Sequence, residues 1–394
     1  MADDLYTRLL ESIRETKIYS AEQGRNLAKL RLPKIIFDFI EGSTGTESTP
    51  DRNMEGFKEI NLRPRVLKNV SNINLTTSFL SKKYGLPIGF APMGMCGLSC
   101  VNADQHMAKC ALEFNIPVVV STAASISLEH MREHAKSNSW FQLYSASTIE
   151  ATLPLIERAK LTGYENLVLT VDVPQISQRI RDLRNGFAMP FKIGPSQFLD
   201  FVLHPRWSVS MYLNGAPSPE NFRIGGLAKF DREASRSAAD WEFLKQLRDI
   251  WKGRLIIKGV NDTEDALEIK KIGCDAVWVS NHGGRQLDSA PSSISRLPII
   301  RKALGKGFPI IFDSGVRTGD DVVKALACGA DLVMLGRPIL FCLSAQGPKG
   351  LQSFLKSLEV EISNIMAQIG IISIAKIDKN CINSFNKMVS FKII

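Results

Sequence analysis

The chain has 394 residues, 44% of them hydrophobic and 23% charged, an ordinary globular composition that excludes a disordered or fibrous protein. Such a length can bury a large core without disulfides or metal staples. The net charge of +9 is spread along the chain without the Lys/Arg block of a nucleic-acid binder, and it suits a phosphorylated cofactor, an acidic substrate or an anionic membrane surface.

The N-terminal stretch MADDLYTRLLESIRETK is charged and amphipathic, with no apolar core of a signal peptide, and no run reaches the ~18 apolar residues of a spanning helix. A cytoplasmic location is expected, compatible with a place on the inner face of the cell membrane. Residues 1–85 read as an N-terminal helical cap that includes the turn-rich EGSTGTESTPDRN. Four β-branched runs follow: Pro87–Met93, Pro117–Ser121, Trp140–Tyr144 and Leu167–Asp172. Four more are Leu255–Gly259, Ala276–Asn281, Pro309–Ser314 and Leu332–Arg337. Near-continuous apolar strands alternating with helical stretches mean a parallel sheet buried on both faces. Eight units predict an α/β fold, a (β/α)₈ TIM barrel over 86–370. The wide gap after the fourth run holds an insertion over 174–240. Residues 371–394, rich in Ile, Asn and Lys, read as a tail without a clear apolar face. Seven cysteines with no CxxC pair read as small buried hydrophobes.

A barrel carries its chemistry where strands end and loops begin. The sixth run ends Ser280-Asn281-His282-Gly283-Gly284-Arg285. The glycines permit a tight turn that sets an imidazole and a guanidinium over the barrel mouth. A base working near neutral pH and a cation that grips a carboxylate are what 2-hydroxy acid chemistry requires. Asp172, at the end of the fourth run, either faces His282 or caps a helix; Arg179 follows it. The fifth run supplies Lys258, an ammonium suited to a ring that accumulates negative charge. The third supplies Gln142 and Tyr144, and the second Ser121. The last two runs end in Asp313-Ser314-Gly315-Val316-Arg317 and Gly336-Arg337, at the recurrent phosphate site of barrels. No Rossmann GxGxxG follows a strand, which disfavours a dinucleotide held in that way.

The stretches LTVDVP, VSNHGGRQLD and IIFDSGVRTGDDVVKALACGADLVMLGRP resemble the FMN-dependent 2-hydroxy acid dehydrogenase and oxidase family, over about residues 30 to 370. LHPRWS, STAAS and WEFLKQLRDIW are most similar to its membrane-associated lactate and mandelate dehydrogenases. The resemblance implies FMN, its phosphate at Gly315, Arg317, Gly336 and Arg337 and its ribityl chain near Asp313. It places Pro92, Met93, Gly94, Ser121, Gln142, Thr170, Lys258 and Ser280 at the ring. His282 is then the catalytic base, Asp172 its partner, Arg179 and Arg285 the carboxylate ligands, and Tyr144 a hydroxyl aimed at substrate. Phe37-Asp38-Phe39 stands where the family has Tyr-Asp-Tyr, so Phe39 lacks the phenol that normally donates to the carboxylate. Gly42-Ser43-Thr44 replaces the preferred Gly-Gly-Ala. The family also implies a homotetramer and a quinone or cytochrome as electron acceptor. The alternatives are a soluble oxidase that forms hydrogen peroxide and a flavin-binding protein with weakened catalysis.

Within the insertion, residues 187–213 hold Phe187, Phe191, Phe198, Phe201, Trp207 and Tyr212, with little charge. Phe198, Phe201 and Val202 fall at helical spacing before Pro205. This segment is expected at a bilayer interface, as a peripheral membrane contact, against the alternative that it packs on the barrel.

Overall fold

The computed structural model describes residues 17–188, 191, 193–222 and 239–385. The amphipathic N-terminal stretch up to residue 16, the insertion over 223–238 and the end of the tail from 386 lie outside them. Eight parallel strands close into a barrel: β4 (Ile88–Met93), β5 (Val118–Ser121), β6 (Ser139–Leu143), β7 (Asn166–Thr170), β8 (Arg254–Val260), β9 (Ala276–Val279), β10 (Ile310–Phe312) and β11 (Leu332–Leu335). Every strand begins and ends within two residues of the apolar run that predicts it. Barrel strands are covered on both faces, so nearly all their residues are apolar and the signal survives in sequence. The architecture is the (β/α)₈ barrel.

The side chains of Val119, Trp140, Val168, Ile256, Trp278, Ile311 and Met334 cluster in the barrel interior. A hairpin, β2 (Thr77–Phe79) with β3 (Lys82–Tyr84), closes the end opposite the strand C-termini. Phe79 packs on Trp140 with ring centroids 5.9 Å apart, and the Trp140 indole donates to the Tyr84 hydroxyl at 3.3 Å. The polar handles of these aromatics are thus satisfied inside an apolar core. The outer core lies between the strands and the surrounding helices.

Among the described residues, three helices precede the barrel: Ala21–Arg31, Lys34–Glu41 and Ser48–Lys58. Asp288, beyond the sixth barrel strand, accepts from the backbone N–H of Thr46 at 2.7 Å and of Ser48 at 2.8 Å, so one carboxylate bolts the start of the third helix to the barrel mouth. Gly45 sits at φ 59°, and a Cβ there would lie 2.7 Å from that carboxylate. The tail also takes part: β12 (Ile382–Phe385) pairs antiparallel with β1 (Ile60–Leu62).

The insertion contributes helices Ile180–Asn185, Pro195–Leu203 and Pro205–Asn214. Its aromatics divide, and the expected interfacial face is corrected accordingly. Phe201 turns inward with Phe187, Phe191 and Trp207, in a ladder of ring contacts that begins at Phe39. Trp207 is buried and donates to the Leu98 carbonyl at 2.8 Å. Phe198, Leu199, Val202, Leu203, Val209, Tyr212 and Leu213 are each more than half exposed. Residues 198, 199, 202 and 203 form the true i, i+1, i+4, i+5 stripe, because Phe201 is claimed by the ladder.

Candidate active site

The C-terminal ends of the strands surround a cavity of about 370 Å³. Phe39, Pro92, Met93, Gly94, Tyr144, Arg179, Lys258, His282, Arg285, Asp313, Gly315, Arg317, Gly336 and Arg337 all line it. Ser121, Gln142, Thr170, Ser280 and Asp172 are not on its wall. The first four are buried at or beside the ends of β5, β6, β7 and β9.

His282 Nδ1 lies 3.0 Å from Asp172 Oδ1. Asp172 is therefore a partner of the imidazole and not a helix cap; Arg179 occupies the cap position of helix Ile180–Asn185. The pairing needs Gly259, at φ 104°, where a Cβ would lie 2.5 Å from the Asp172 carboxyl carbon. Burial pushes the Asp172 pKa up, but the facing His282 and Lys258 outweigh it, so the carboxyl is held below the usual range and stays ionised. That fixes Nδ1–H toward Asp172 and leaves Nε2 as the basic nitrogen. His282 itself has φ 56°, a left-handed conformation that costs a non-glycine residue ~1–3 kcal/mol.

Lys258 donates to Ser280 Oγ at 3.0 Å and pairs with Asp313 Oδ2 at 3.3 Å. Burial lowers its pKa, yet Asp313 and Asp172 raise it further, and the ammonium persists. Asp313 also accepts from the Trp278 indole at 3.0 Å and from Ser314 Oγ at 2.7 Å.

At the far end of the cavity stand Arg317 and Arg337. Neither forms an ion pair among the described residues. Burial, then the like charge of Arg317, pushes Arg337 down to about 9. Arg337 donates to the carbonyls of Gly283 at 2.8 Å and Gly42 at 3.1 Å and to Ser43 Oγ at 2.7 Å. Gly336 caps the helix Arg337–Gln368, whose first N–H groups face the same end. Two half-buried cations beside a helix N-terminus call for an anion, and a phosphate ester supplies one. Deeper in, the buried Gln142 Nε2 and Thr170 Oγ1 have no hydrogen-bond partner among the described residues. Unmet polar groups beside a phosphate site fit a phosphorylated heteroaromatic cofactor with its own donors and acceptors.

Arg179 and Arg285 flank Phe39, each guanidinium 5.5 Å from the ring centroid. Phe39 stacks on Phe187 at 4.4 Å. Arg285 Nη1 donates to the carbonyls of Phe39 at 3.0 Å and Gly42 at 2.8 Å, and Arg179 pairs with Asp182 at 3.1 Å. Phe39 thus spaces two cations by its π face. Several wall residues carried no sequence signal. Ile176, Pro219 and Phe222 come from the Pro-rich insertion, and Ser314 was overshadowed by its neighbours.

The model of the FMN-dependent dehydrogenase family matches residues 28–384. An (S)-mandelate dehydrogenase from Pseudomonas putida is 36% identical over 90% of this chain and 91% of its own length. An L-lactate dehydrogenase from Acinetobacter baylyi is 34% identical over 94% of this chain and 99% of its own. Among solved structures, that of a monotopic membrane protein, (S)-mandelate dehydrogenase, superposes with a TM-score of 0.89 at 35% identity, covering 93% of this chain and 99% of that one.

Proposed function

Since this chain belongs to the FMN-dependent dehydrogenase family, an enzyme of the 2-hydroxy acid dehydrogenases with FMN as its cofactor, we propose that it oxidises an L-2-hydroxy acid with an apolar side chain, lactate- or mandelate-like, to the 2-keto acid. The observation that carries the reading is His282, held by Asp172 at 3.0 Å, lining the same cavity as Arg317 and Arg337, which form no ion pair among the described residues. The phosphate would lie against Gly315, Arg317, Gly336 and Arg337, and the ribityl chain near Asp313. Pro92, Met93, Gly94, Ser121, Gln142, Thr170, Lys258 and Ser280 would hold the ring. When bound, FMN supplies the two-electron acceptor.

Arg179 and Arg285 hold the substrate carboxylate, in charge-assisted bonds that orient the hydroxyl-bearing carbon. Nε2 of His282 takes up the proton released as the carbinol becomes a carbonyl, and ionised Asp172 stabilises the imidazolium. Tyr144 turns its hydroxyl to the substrate oxygen. The Lys258 ammonium, fixed by Ser280 and Asp313, presents positive charge to the ring site. Val173, Ile176, Phe222 and Met95 form an apolar wall for the substrate side chain.

We further propose that the enzyme lies on the cytoplasmic face of a membrane and passes electrons to a quinone or cytochrome. No helix among the described residues is long and apolar enough to cross a bilayer. The exposed stripe of Phe198, Leu199, Val202 and Leu203 suits immersion to interfacial depth. A homotetramer is tested by light scattering in detergent.

The purified protein should be yellow and release FMN. Anaerobic mixing with a panel of L-2-hydroxy acids should bleach the flavin band, and a quinone analogue should restore it. A protein that no hydroxy acid bleaches overturns the reading. Fast reoxidation by dioxygen with stoichiometric peroxide transfers it to an oxidase.

A further inference from the structure

The catalytic turn is held from an unexpected side. Asn53, on helix Ser48–Lys58 of the N-terminal cap, is 1% exposed, and Asn281, immediately before the base, is 5% exposed. Their amides form a reciprocal pair. Asn53 Nδ2 donates to Asn281 Oδ1 at 2.9 Å, and Asn281 Nδ2 donates to Asn53 Oδ1 at 2.7 Å. Two further bonds anchor the pair: Asn53 Oδ1 accepts from Ser293 N at 3.2 Å, and Asn281 Nδ2 donates to the Pro291 carbonyl at 3.0 Å. A buried amide pair held by four hydrogen bonds has a defined geometry that is costly to leave.

The same residue reaches the phosphate turn. Gly315 sits at φ 93°, and a Cβ there would lie 2.8 Å from the Asn53 carbonyl oxygen. Between the two turns, Ser314 Oγ accepts from Asn281 N at 3.3 Å and Gly283 N at 3.1 Å. Ser314 is itself left-handed, at φ 87°. Two strained residues, His282 and Ser314, therefore stand back to back, and backbone of this kind persists only where its surroundings over-determine it. Asp172 constrains the imidazole; the Asn53–Asn281 pair constrains the turn beneath it.

We propose that Asn53 is a positioning residue for the reaction, its side chain aiming His282 through Asn281. The proposal rests on the reading of His282 as base. It touches neither substrate nor cofactor, so its removal acts on the rate of the chemical step. Substrate binding is carried by Arg179 and Arg285, which it does not contact.

The test is Asn53→Ala, with the isosteric Asn53→Asp as a second variant that keeps the volume and removes the amide donor to Asn281 Oδ1. The readouts are the anaerobic flavin reduction rate, the kcat and KM pair, and FMN affinity from titration of apoprotein. Misplacement of a catalytic group by about 1 Å costs up to ~10²-fold. The limiting reduction rate is expected to fall ~10-fold or more in Asn53→Ala and less in Asn53→Asp. KM and FMN affinity should stay within about threefold, the range left to indirect shifts in binding groups. If Asn53→Ala does not fold, the rate in Asn53→Asp decides. A reduction rate within twofold of the parent in a folded variant, or a loss confined to KM or to FMN affinity, overturns the proposal. A parent protein that no hydroxy acid reduces overturns the assignment of His282 and this proposal together; a reducible parent with unaffected variants overturns this proposal alone.

Discussion

The barrel mouth and the insertion beside it both break the rule of polar outside and apolar inside, in opposite directions. At the mouth, the half-buried Arg317 and Arg337 bear a desolvation cost that hydrogen bonds to carbonyls and hydroxyls only partly offset, while buried Lys258 is compensated by Asp313. On the insertion, Phe198, Leu199, Val202 and Leu203 stand in solvent next to polar helix turns. Each violation needs a compensating partner: the two arginines an anion, and the exposed apolar stripe a surface drier than water. Phe39 lies between the two, its face against the arginines and its ring stacked on the ladder that supports the stripe.

The comparison can be broken at either end. His282→Asn should leave FMN bound and slow flavin reduction by ~10²–10⁴, the contribution of a general base. Asparagine tolerates the left-handed backbone of this position, so the loss reads on chemistry. Reduction at near parental speed in stopped flow would remove His282 from the mechanism.

On the insertion, replacing Phe198, Leu199, Val202 and Leu203 by serine should lower partitioning onto vesicles by ~10³. That follows from roughly 1 kcal/mol per partly exposed apolar side chain. Turnover with a soluble dye should persist. Point substitution is cleaner than deleting the segment, since deletion also removes Phe201 and Trp207 from the ladder. Sedimentation with vesicles measures it; a parent protein that remains in the supernatant defeats the membrane reading.

Arg179→Met and Arg285→Met should each raise KM by roughly 10- to 150-fold, from ~1.5–3 kcal/mol for a charged hydrogen bond. The loss at Arg285 should be accompanied by lower thermal stability, because its Nη1 also binds the carbonyls of Phe39 and Gly42. Equal KM in the variant and its parent would mean that the guanidinium serves the cap alone. The smallest effect belongs to Phe39→Tyr. A restored phenol should tighten small hydroxy acids by about 1 kcal/mol or a few-fold, the net worth of one hydrogen bond. An unchanged or higher KM would show that the stacked ring, and not the lost hydroxyl, shapes this pocket.

Much of this architecture is legible in sequence because of local chemistry. Strands such as Val118–Ser121 announce themselves as short β-branched runs, and the barrel rule directs attention to their ends. His282, Asp172 and the two turns Gly315–Arg317 and Gly336–Arg337 stand out there by residue type. What stays hidden is long-range. Asn53 meets Asn281 across 228 positions, and no spacing or composition announces that encounter. The aromatics of the insertion misled for a related reason: Phe198 and Phe201 are three apart on one helix, yet one is in solvent and the other in the ladder. Which face wins depends on where Phe191 and Trp207 arrive. The tail strand Ile382–Phe385 was equally silent, because its partner Ile60–Leu62 lies at the other end of the chain.

That pairing of the first strand with the last bears on the order in which the molecule is made. The cap helices leave the ribosome early, yet the groups that receive them, Gly283, Arg285, Asp288 and Arg337, are among the last to be synthesised. Contacts so distant in sequence form only after a large loop-closure cost has been met. Residues 21–58 must therefore wait, undocked, while the barrel strands assemble behind them. Over that interval the cavity lacks the wall that Phe39 and Ile40 later provide. Once docked, the cap closes one side of the cavity through Phe39 and Ile40, so a chain shortened through helix Lys34–Glu41 would leave the barrel mouth without that wall.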